Sequence, residues 1–347
     1  MQLWNKLNKE ELEEQLRDIG HEFLTISFYQ YAQIANPYLF RDHLFIIWSN
    51  LDVVGRTYIA SEGINAQIAV PTKNISQFRE ELYQIEFLNG IRLNFAVDES
   101  EAEFAFLKLK IKVRDKILAD GLNDKTFDVT KKGKHLNAEE FNTLTNDPET
   151  LLIDFRNHYE SEVGYFEGAI LPDVDTFRDS LPKIEEEILK GNETKNIVMY
   201  CTGGIRCEKA SAWFKHRGFP NVHQLEGGII KYARDAKEQG IQNKFKGKNF
   251  VFDERRGERI TEEIVSVCHL CGTPADTHTN CDNSACHLLF IQCDKCKQKL
   301  DNCCSIECQE IYHLPLEEQK ALRKGIDNSN KIFKKGRADH LTYKNKG

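Results

Sequence analysis

The chain has 347 residues, with 47 Lys and Arg against 54 Asp and Glu and a formal net charge of −7. That length predicts two or three domains with ample core, and the acidic balance excludes a globally basic nucleic-acid binder, so any polyanion must be met by local patches. No apolar run approaches the roughly eighteen residues of a membrane span, and the opening stretch MQLWNKLNKEELEEQL is charged and lacks an apolar signal core. The expectation is a cytoplasmic protein with no membrane partner. Eleven cysteines in such a chain read as catalytic or metal-binding rather than disulfide-bonded, and nine of them fall between Cys268 and Cys308.

Residues 1–22 read as a short, polar, loosely attached N-terminal helix. Residues 23–115 pattern as a separate α+β unit. Phe23–Ala32, Gly55–Ala60, Ile64–Val70, Ile91–Ala96 and Leu107–Val113 have strand character. Pro37–Leu51 carries Leu39, Leu44, Ile47 and Trp48 at helical spacing, and Ile75–Phe87 carries Phe78, Leu82 and Ile85 on one face. The order βαββαβ predicts a ferredoxin-like or acylphosphatase-like sandwich. Ser61–Asn65 (SEGIN) joins two of the strands and reads as a surface turn. Residues 116–135 are polar and charged, and read as a linker.

In residues 136–240, strands Leu151–Asp154, Ile197–Tyr200 and Val222–Leu225 alternate with helical stretches Thr176–Leu189, Glu208–Arg217 and Ile230–Glu238. That alternation predicts a parallel sheet with helices on both faces. Its centre is Asn196–Phe219, where an apolar strand ends at Cys201 and the loop Thr202, Gly203, Gly204, Ile205, Arg206 feeds a helix beginning near Cys207. A cysteine at the carboxyl end of a parallel strand sits where such folds place their sites. Loop amides, the helix dipole and the charge of Arg206 all favour thiolate over thiol. Cys207 has two readings: a resolving thiol for an oxidised Cys201, or a small apolar side chain packed beneath the helix.

Residues 241–319 form a connector and a Cys-rich region. The connector mixes Lys244, Lys246, Lys248, Arg255, Arg256 and Arg259 with Phe245, Phe250 and Phe252, a composition suited either to RNA or to a strand with a solvated face. Cys268, Cys271, Cys281, Cys286, Cys293, Cys296, Cys303, Cys304 and Cys308 follow. Two CxxC pairs about twenty residues apart signal structural zinc, in two interleaved four-cysteine sites with one cysteine left over. His269, His278, His287 and His313 each read as an ordinary surface or packed histidine, with a substitute ligand as the alternative. The tail, residues 320–347, holds nine Lys and Arg against two Asp and reads as a basic arm or a solvated end.

The loop Cys201, Gly204, Arg206 resembles the Cys-x-x-Gly-x-Arg loop of the rhodanese family, six residues from Cys to Arg. Phosphatases of the same fold use a longer loop. Leu151–Ile170 resembles a second rhodanese signature, with Asp154, Arg156, Glu160, Gly168 and Ala169 in place and Tyr165 where many members carry His. Gln224–Ile229 resembles the strand and turn that close the domain. The whole layout is similar to the bacterial tRNA uridine hydroxylase branch, which joins an acylphosphatase-like domain, a rhodanese domain and a Cys-rich C-terminal segment. The stretches SEGINAQI, YCTGGIRCEKASAW, LEGGIIKYA and FVFDERRGERI carry that likeness.

The resemblance implies dioxygen-dependent hydroxylation of a tRNA wobble uridine to 5-hydroxyuridine. The residues alone reach a reactive cysteine and RNA-binding surfaces. They contain no facial triad of two His and a carboxylate and no flavin or dinucleotide fingerprint. Two routes stay open: Cys201 as thiolate, persulfide or oxidised sulfur activating dioxygen, or Cys201 adding to the 6-carbon of the pyrimidine. Two other functions also stay open, a sulfurtransferase and a non-catalytic RNA-binding module.

Overall fold

The structure, a computed structural model, describes residues 8–20, 22–98, 102–324 and 336–343. Helix α1 (Lys9–Ile19) starts at a capping box in which Asn8 and Glu11 exchange side-chain and backbone bonds, and stops at Gly20 in the left-handed region. Leu12 and Leu16 lie on one face, four residues apart, and both are buried. Leu16 packs on Val54 and Ala69 of the next domain. The helix is therefore docked, contrary to the loose attachment its charge suggested.

The first domain contains β1 (Phe23–Tyr31), α2 (Pro37–Asn50), β2 (Val54–Ala60), β3 (Gly63–Pro71), α3 (Ile75–Tyr83), β4 (Asn94–Phe95) and β5 (Leu109–Val113). Its sheet runs β4-β1-β3-β2-β5. β1 is antiparallel to β3 and β4, β2 antiparallel to β3, and β5 parallel to β2. This is the expected βαββαβ sandwich with a fifth strand added. The expected strand Ile91–Ala96 pairs only over two residues. Period-2 alternation splits β1 into two faces. Ile26 and Phe28 join Trp48, Phe78 and Leu82 in the core under the helices, while Thr25, Ser27 and Tyr29 point the other way, toward the second domain.

The second domain has β6 (Lys134–Leu136), α4 (Ala138–Leu144), β7 (Thr150–Asp154), α5 (His158–Ser161), β8 (Gly164–Phe166), α6 (Phe177–Ile184), β9 (Asn196–Tyr200), α7 (Ile205–His216), β10 (Val222–Leu225) and α8 (Gly228–Gln239). Strands β6-β10-β9-β7 form a parallel sheet. Each face buries its own core. Ile197, Met199 and Cys201 face Phe177, Leu181 and Phe214, while Val198 and Tyr200 face Phe141, Ile229 and Tyr232. Helices cover both faces, as the alternation predicted.

The connector belongs to this domain rather than lying apart: β11 (Phe245–Asn249) pairs antiparallel with β8, placing Lys246 opposite Tyr165, and with β12 (Glu258–Arg259). The C-terminal region adds β13 (His278–Asn280), β14 (Leu289–Ile291), α9 (Asp294–Lys299), α10 (Ile306–Tyr312) and α11 (Leu316–Arg323). Part of the expected free tail folds back. Leu341 is buried among Cys281, Cys303 and Cys304, and the Tyr343 N–H donates to the His269 carbonyl. Residues 325–335 and 344–347 of that tail lie outside the described residues.

Two sequence expectations fail together where the domains meet. The Lys209 ammonium, on α7, is almost fully buried. It donates to both oxygens of Glu62, at 3.0 and 2.9 Å, and pairs with Asp120 at 2.5 Å. Glu62 belongs to the SEGIN turn, so that turn is a docking element and not a solvated one. Asp120 and the buried Ile117 belong to the supposed linker, which is pinned across the junction; the Ile117 N–H donates to Glu62 at 2.9 Å. Breaking a buried pair strands its partner's charge, which costs about 3–5 kcal/mol. Lys209→Met should therefore lower unfolding free energy in urea by about that amount, whereas a loss near the surface-pair value of about 0–1 kcal/mol would contradict this account.

Candidate active site

Cys201 directly follows β9, with its side chain fully buried. The loop after it wraps the sulfur: the Gly204 N–H donates to Sγ at 3.1 Å. Gly204 has φ 102°, a conformation that favours glycine, and a Cβ there would stand 2.7 Å from the Tyr29 hydroxyl. The first domain thus presses on the loop directly. Burial pushes the Cys201 thiol up, but a hydrogen bond from the Cys207 thiol, the charge of Arg206 and the backbone N–H groups of Cys207 and Gly204 outweigh it and bring it down to about 6. Cys207 itself is held well above the usual thiol range, by burial first and then by the neighbouring Cys201 sulfur.

The structure bears on the two readings of Cys207. It packs in the core beneath the helix, and it stays protonated as a donor to Cys201. In the reduced site Cys207 therefore sits where the packing reading puts it, with its thiol turned to the Cys201 sulfur.

Arg206 supplies the expected positive charge, yet its planar fork is not free to bridge the loop to a substrate. It is spent on Glu160, whose two oxygens accept at 2.6 and 2.8 Å inside the protein. Glu160 also caps the short helix α5, accepting the Asn157 N–H at 3.0 Å. Asp154 and Arg156 form a second buried pair, closed at 2.6 Å, and Arg156 donates to the Gly164 carbonyl. They fasten β7 to β8 and do not touch the sulfur. Thr202 turns its hydroxyl toward Arg206 at 3.4 Å. Gly203 and Ile205 line the cavity described next.

A cavity of about 330 Å³ opens at Cys201, between the loop and the outer face of the first domain's sheet. Ser27, Tyr29, Asn65, Gln67 and Asn94 form its far wall. Sequence reasoning missed these residues. The available signal was the polar stripe alternating with Ile26 and Phe28 in TISFY, a face with no reason to be polar unless something wet or ligand-binding meets it.

The basic residues of the connector, suited in sequence to RNA or to a strand with a solvated face, are largely paired or packed. Lys248 and Arg255 are buried. Arg255 pairs with Asp253 and Glu258, at 2.7 and 2.9 Å, and Lys248 and Arg259 with Asp276 at 3.6 and 2.7 Å. Lys244 donates to Asn142, Thr145 and Asn146, and Lys246 pairs with Glu167 at 3.3 Å. Arg256 is half-buried on a left-handed turn with φ 55°. Phe245 and Phe250 are buried in apolar clusters.

The cysteines fall into two sets, Cys268, Cys271, Cys293 and Cys296, and Cys281, Cys286, Cys304 and Cys308, each with all sulfurs within 4.8 Å of one another. The pairs interleave along the chain. Sulfur separations of 3.6 and 3.7 Å match the edge of about 3.8 Å expected for a tetrahedron with 2.3 Å zinc–sulfur bonds. Cys303 joins neither set and packs in the apolar cluster with Leu288 and Phe290, so its ligand role is withdrawn. Among the described residues no histidine completes a set; His269 instead meets Glu162 at 2.8 Å.

A rhodanese-like domain whose cysteine is roofed by an acylphosphatase-like domain defines the class. The sequence matches the UPF0176 acylphosphatase like domain over residues 23–117, the rhodanese-like domain over 137–235 and the rhodanase C-terminal domain over 246–309. A tRNA uridine(34) hydroxylase of Photorhabdus laumondii is 52% identical over 336 residues, covering 96% of this chain and 95% of that one. One of Leptospira interrogans is 50% identical over 335 residues, covering 96% and 90%. The chain belongs to the tRNA uridine(34) hydroxylase family. Among solved structures, a rhodanese-like domain protein from Staphylococcus aureus is 22% identical with a TM-score of 0.24, covering 28% of this chain and 90% of that one.

The thiolate predicts a pH profile. Because the Cys201 thiol sits below its ordinary value, the alkylation rate with a small reagent should rise through about pH 6 and be level at pH 8. Cys207→Ala removes a donor to the charged form and should move that midpoint up by about one pH unit. Arg206→Lys should also move it up, since Lys keeps the charge but not the bidentate hold on Glu160. An unchanged midpoint in both variants would contradict the assignment.

Proposed function

We propose that this chain hydroxylates the wobble uridine of tRNA to 5-hydroxyuridine, with dioxygen as oxidant and Cys201 as the reacting group. The observation that carries the reading is a buried cysteine, its thiol brought down to about 6, lining a cavity of about 330 Å³, in a chain matched over 96% of its length by tRNA uridine(34) hydroxylases. A wobble base must leave its stack to reach that sulfur, as bases do in other enzymes that act on them.

Of the two routes for Cys201, addition to the ring suits this site better. The sulfur is a thiolate at neutral pH, and nothing beside it is arranged as a metal triad among the described residues. The thiolate forms a bond to the 6-carbon, which leaves the 5-carbon electron-rich. One atom of dioxygen enters there as hydroxyl. The other leaves as water, taking two electrons and two protons from an external reductant. Loss of the 5-proton and cleavage of the carbon–sulfur bond restore the ring and the thiolate. Burial of Cys201 and its loop keeps bulk water away from the adduct.

The two cysteine sets suit structural zinc, held by Cys268, Cys271, Cys293 and Cys296 and by Cys281, Cys286, Cys304 and Cys308. The metal would fold a segment with few large apolar residues and take no part in the chemistry.

Deleting the gene and analysing bulk tRNA nucleosides by mass spectrometry tests the activity. Loss of 5-hydroxyuridine derivatives, restored by the wild-type gene and not by Cys201→Ser, is the expected result. Loss of a thiolated base instead would make the chain a sulfurtransferase, and no change in either would make it a binding module. Protein purified without chelator should carry about two zinc ions per chain, four ligands each; a metal content well below one would defeat the zinc assignment.

A further inference from the structure

The cavity is electrically unusual for a protein that handles a polyanion. Its cationic lining groups, Arg206 and Arg255, are both neutralised by buried carboxylates, Glu160 for the first and Asp253 and Glu258 for the second. Asp175 lines it as well. Asp175 is itself paired with His158 at 3.0 Å. A phosphate group would find every cationic lining group already matched by a carboxylate, so the space suits a neutral ring. Its aromatic walls, Tyr159, Phe177 and Phe252, offer stacking surface.

The wall opposite the sulfur supplies the hydrogen bonds. β1, β3 and β4 are in register there: Ser27 lies opposite Gln67 on one side and Asn94 on the other. These three side chains therefore form one row across the sheet, facing the loop. Ser27 Oγ and Asn94 Nδ2 each stand 3.9 Å from where a Cβ on Gly203 would be, so the row sits directly over the active loop.

One member of the row has its polarity fixed. Gln67 Oε1 accepts from Arg56 Nη2 at 3.2 Å, and that same guanidinium nitrogen donates to the Phe252 carbonyl at 2.8 Å. Arg56 is thus held from two sides, and Gln67 must keep its oxygen toward it. The amide can then offer the cavity only its NH₂ group, a donor. A donor at this place suits the ring carbonyl of uracil. The amino group of cytosine, also a donor, would be left without a partner, which is the kind of mismatch that discriminates most sharply.

Resting on the hydroxylase reading above, we propose that this sheet row is the uracil-recognition subsite and that Gln67, locked by Arg56, selects the carbonyl at position 4 of uracil against the amino group of cytosine. Asn94 and Ser27 complete the polar edge. Cys201 then meets the ring from the loop side, so the domain that chooses the base is not the domain that carries the sulfur.

The test uses the purified full chain and two anticodon stem–loop RNAs that differ only in having U or C at the wobble position. Affinities are read by fluorescence anisotropy. Wild type should prefer the U form by about tenfold, the scale of one well-placed base contact. Gln67→Glu replaces the donor by an acceptor that still pairs with Arg56, and should lose that preference or reverse it. Arg56→Met leaves every cavity-lining residue in place but frees the amide to turn over, and should bring the ratio toward one. If both variants keep the wild-type ratio while retaining the wild-type urea midpoint, the proposal is overturned; a ratio that shifts in Arg56→Met supports it even if Gln67→Glu fails to fold. The nucleoside analysis of the deletion strain separates this from the activity itself. Absent hydroxylation with an intact U preference would sink the reaction and leave the subsite, and normal hydroxylation with no U preference would do the reverse.

Discussion

One buried guanidinium organises the site. Arg206 stands between the Glu160 carboxylate and the Cys201 sulfur, and is itself nearly fully enclosed. A cation in that place needs a full counter-charge, which Glu160 supplies through two short bonds. Its remaining field then falls on the sulfur. Glu160 would otherwise be a stranded buried carboxylate, and Cys201 would lose the charge that joins the Cys207 hydrogen bond and the loop amides in holding its thiol down. Each member makes the next affordable, and the Asn157 N–H bond to Glu160 ties the trio to the helix after β7.

A second buried cation extends the same logic between domains. Lys209 lies one helical turn beyond the loop, and its partners Glu62 and Asp120 come from the first domain and the segment after it. The loop's position and the cavity's far wall are therefore set by one network. Tyr29 adds direct contact, its hydroxyl pressed against Gly204 and reaching Glu208 at 3.2 Å. The rhodanese-like domain alone carries the sulfur but no pocket; the pocket exists only where the two domains meet.

Much of this was legible in the chain. The strand–Cys201–loop–helix pattern located the sulfur and the parallel sheet, and the order of periodic segments predicted the five-stranded first domain. The CxxC pairs pointed to two interleaved sets, although which cysteine stood apart was decided by three-dimensional packing around Cys303. What failed has a common cause. Charged residues were read as reaching solvent or RNA: Glu62 in a surface turn, Asp120 in a polar linker, Lys248 and Arg255 in the basic connector; each is in an ion pair at least partly inside the protein. Pairing across about 150 residues of sequence, as between Glu62 and Lys209, leaves no local signature. The polar stripe on β1 was visible as alternation, but its purpose depends on which domain it faces.

The central claim is that a wobble uracil meets the Cys201 thiolate in the interdomain cavity. An anticodon stem–loop carrying 5-fluorouridine at the wobble position tests it most directly, because fluorine replaces the proton whose loss would release the sulfur. Mixed with the purified chain, dioxygen and a two-electron reductant, it should give an intact-mass increase of one hydroxylated RNA, mapped to Cys201 by digestion and absent in Cys201→Ser. RNA that binds with normal affinity yet leaves no covalent species on Cys201 would contradict the account.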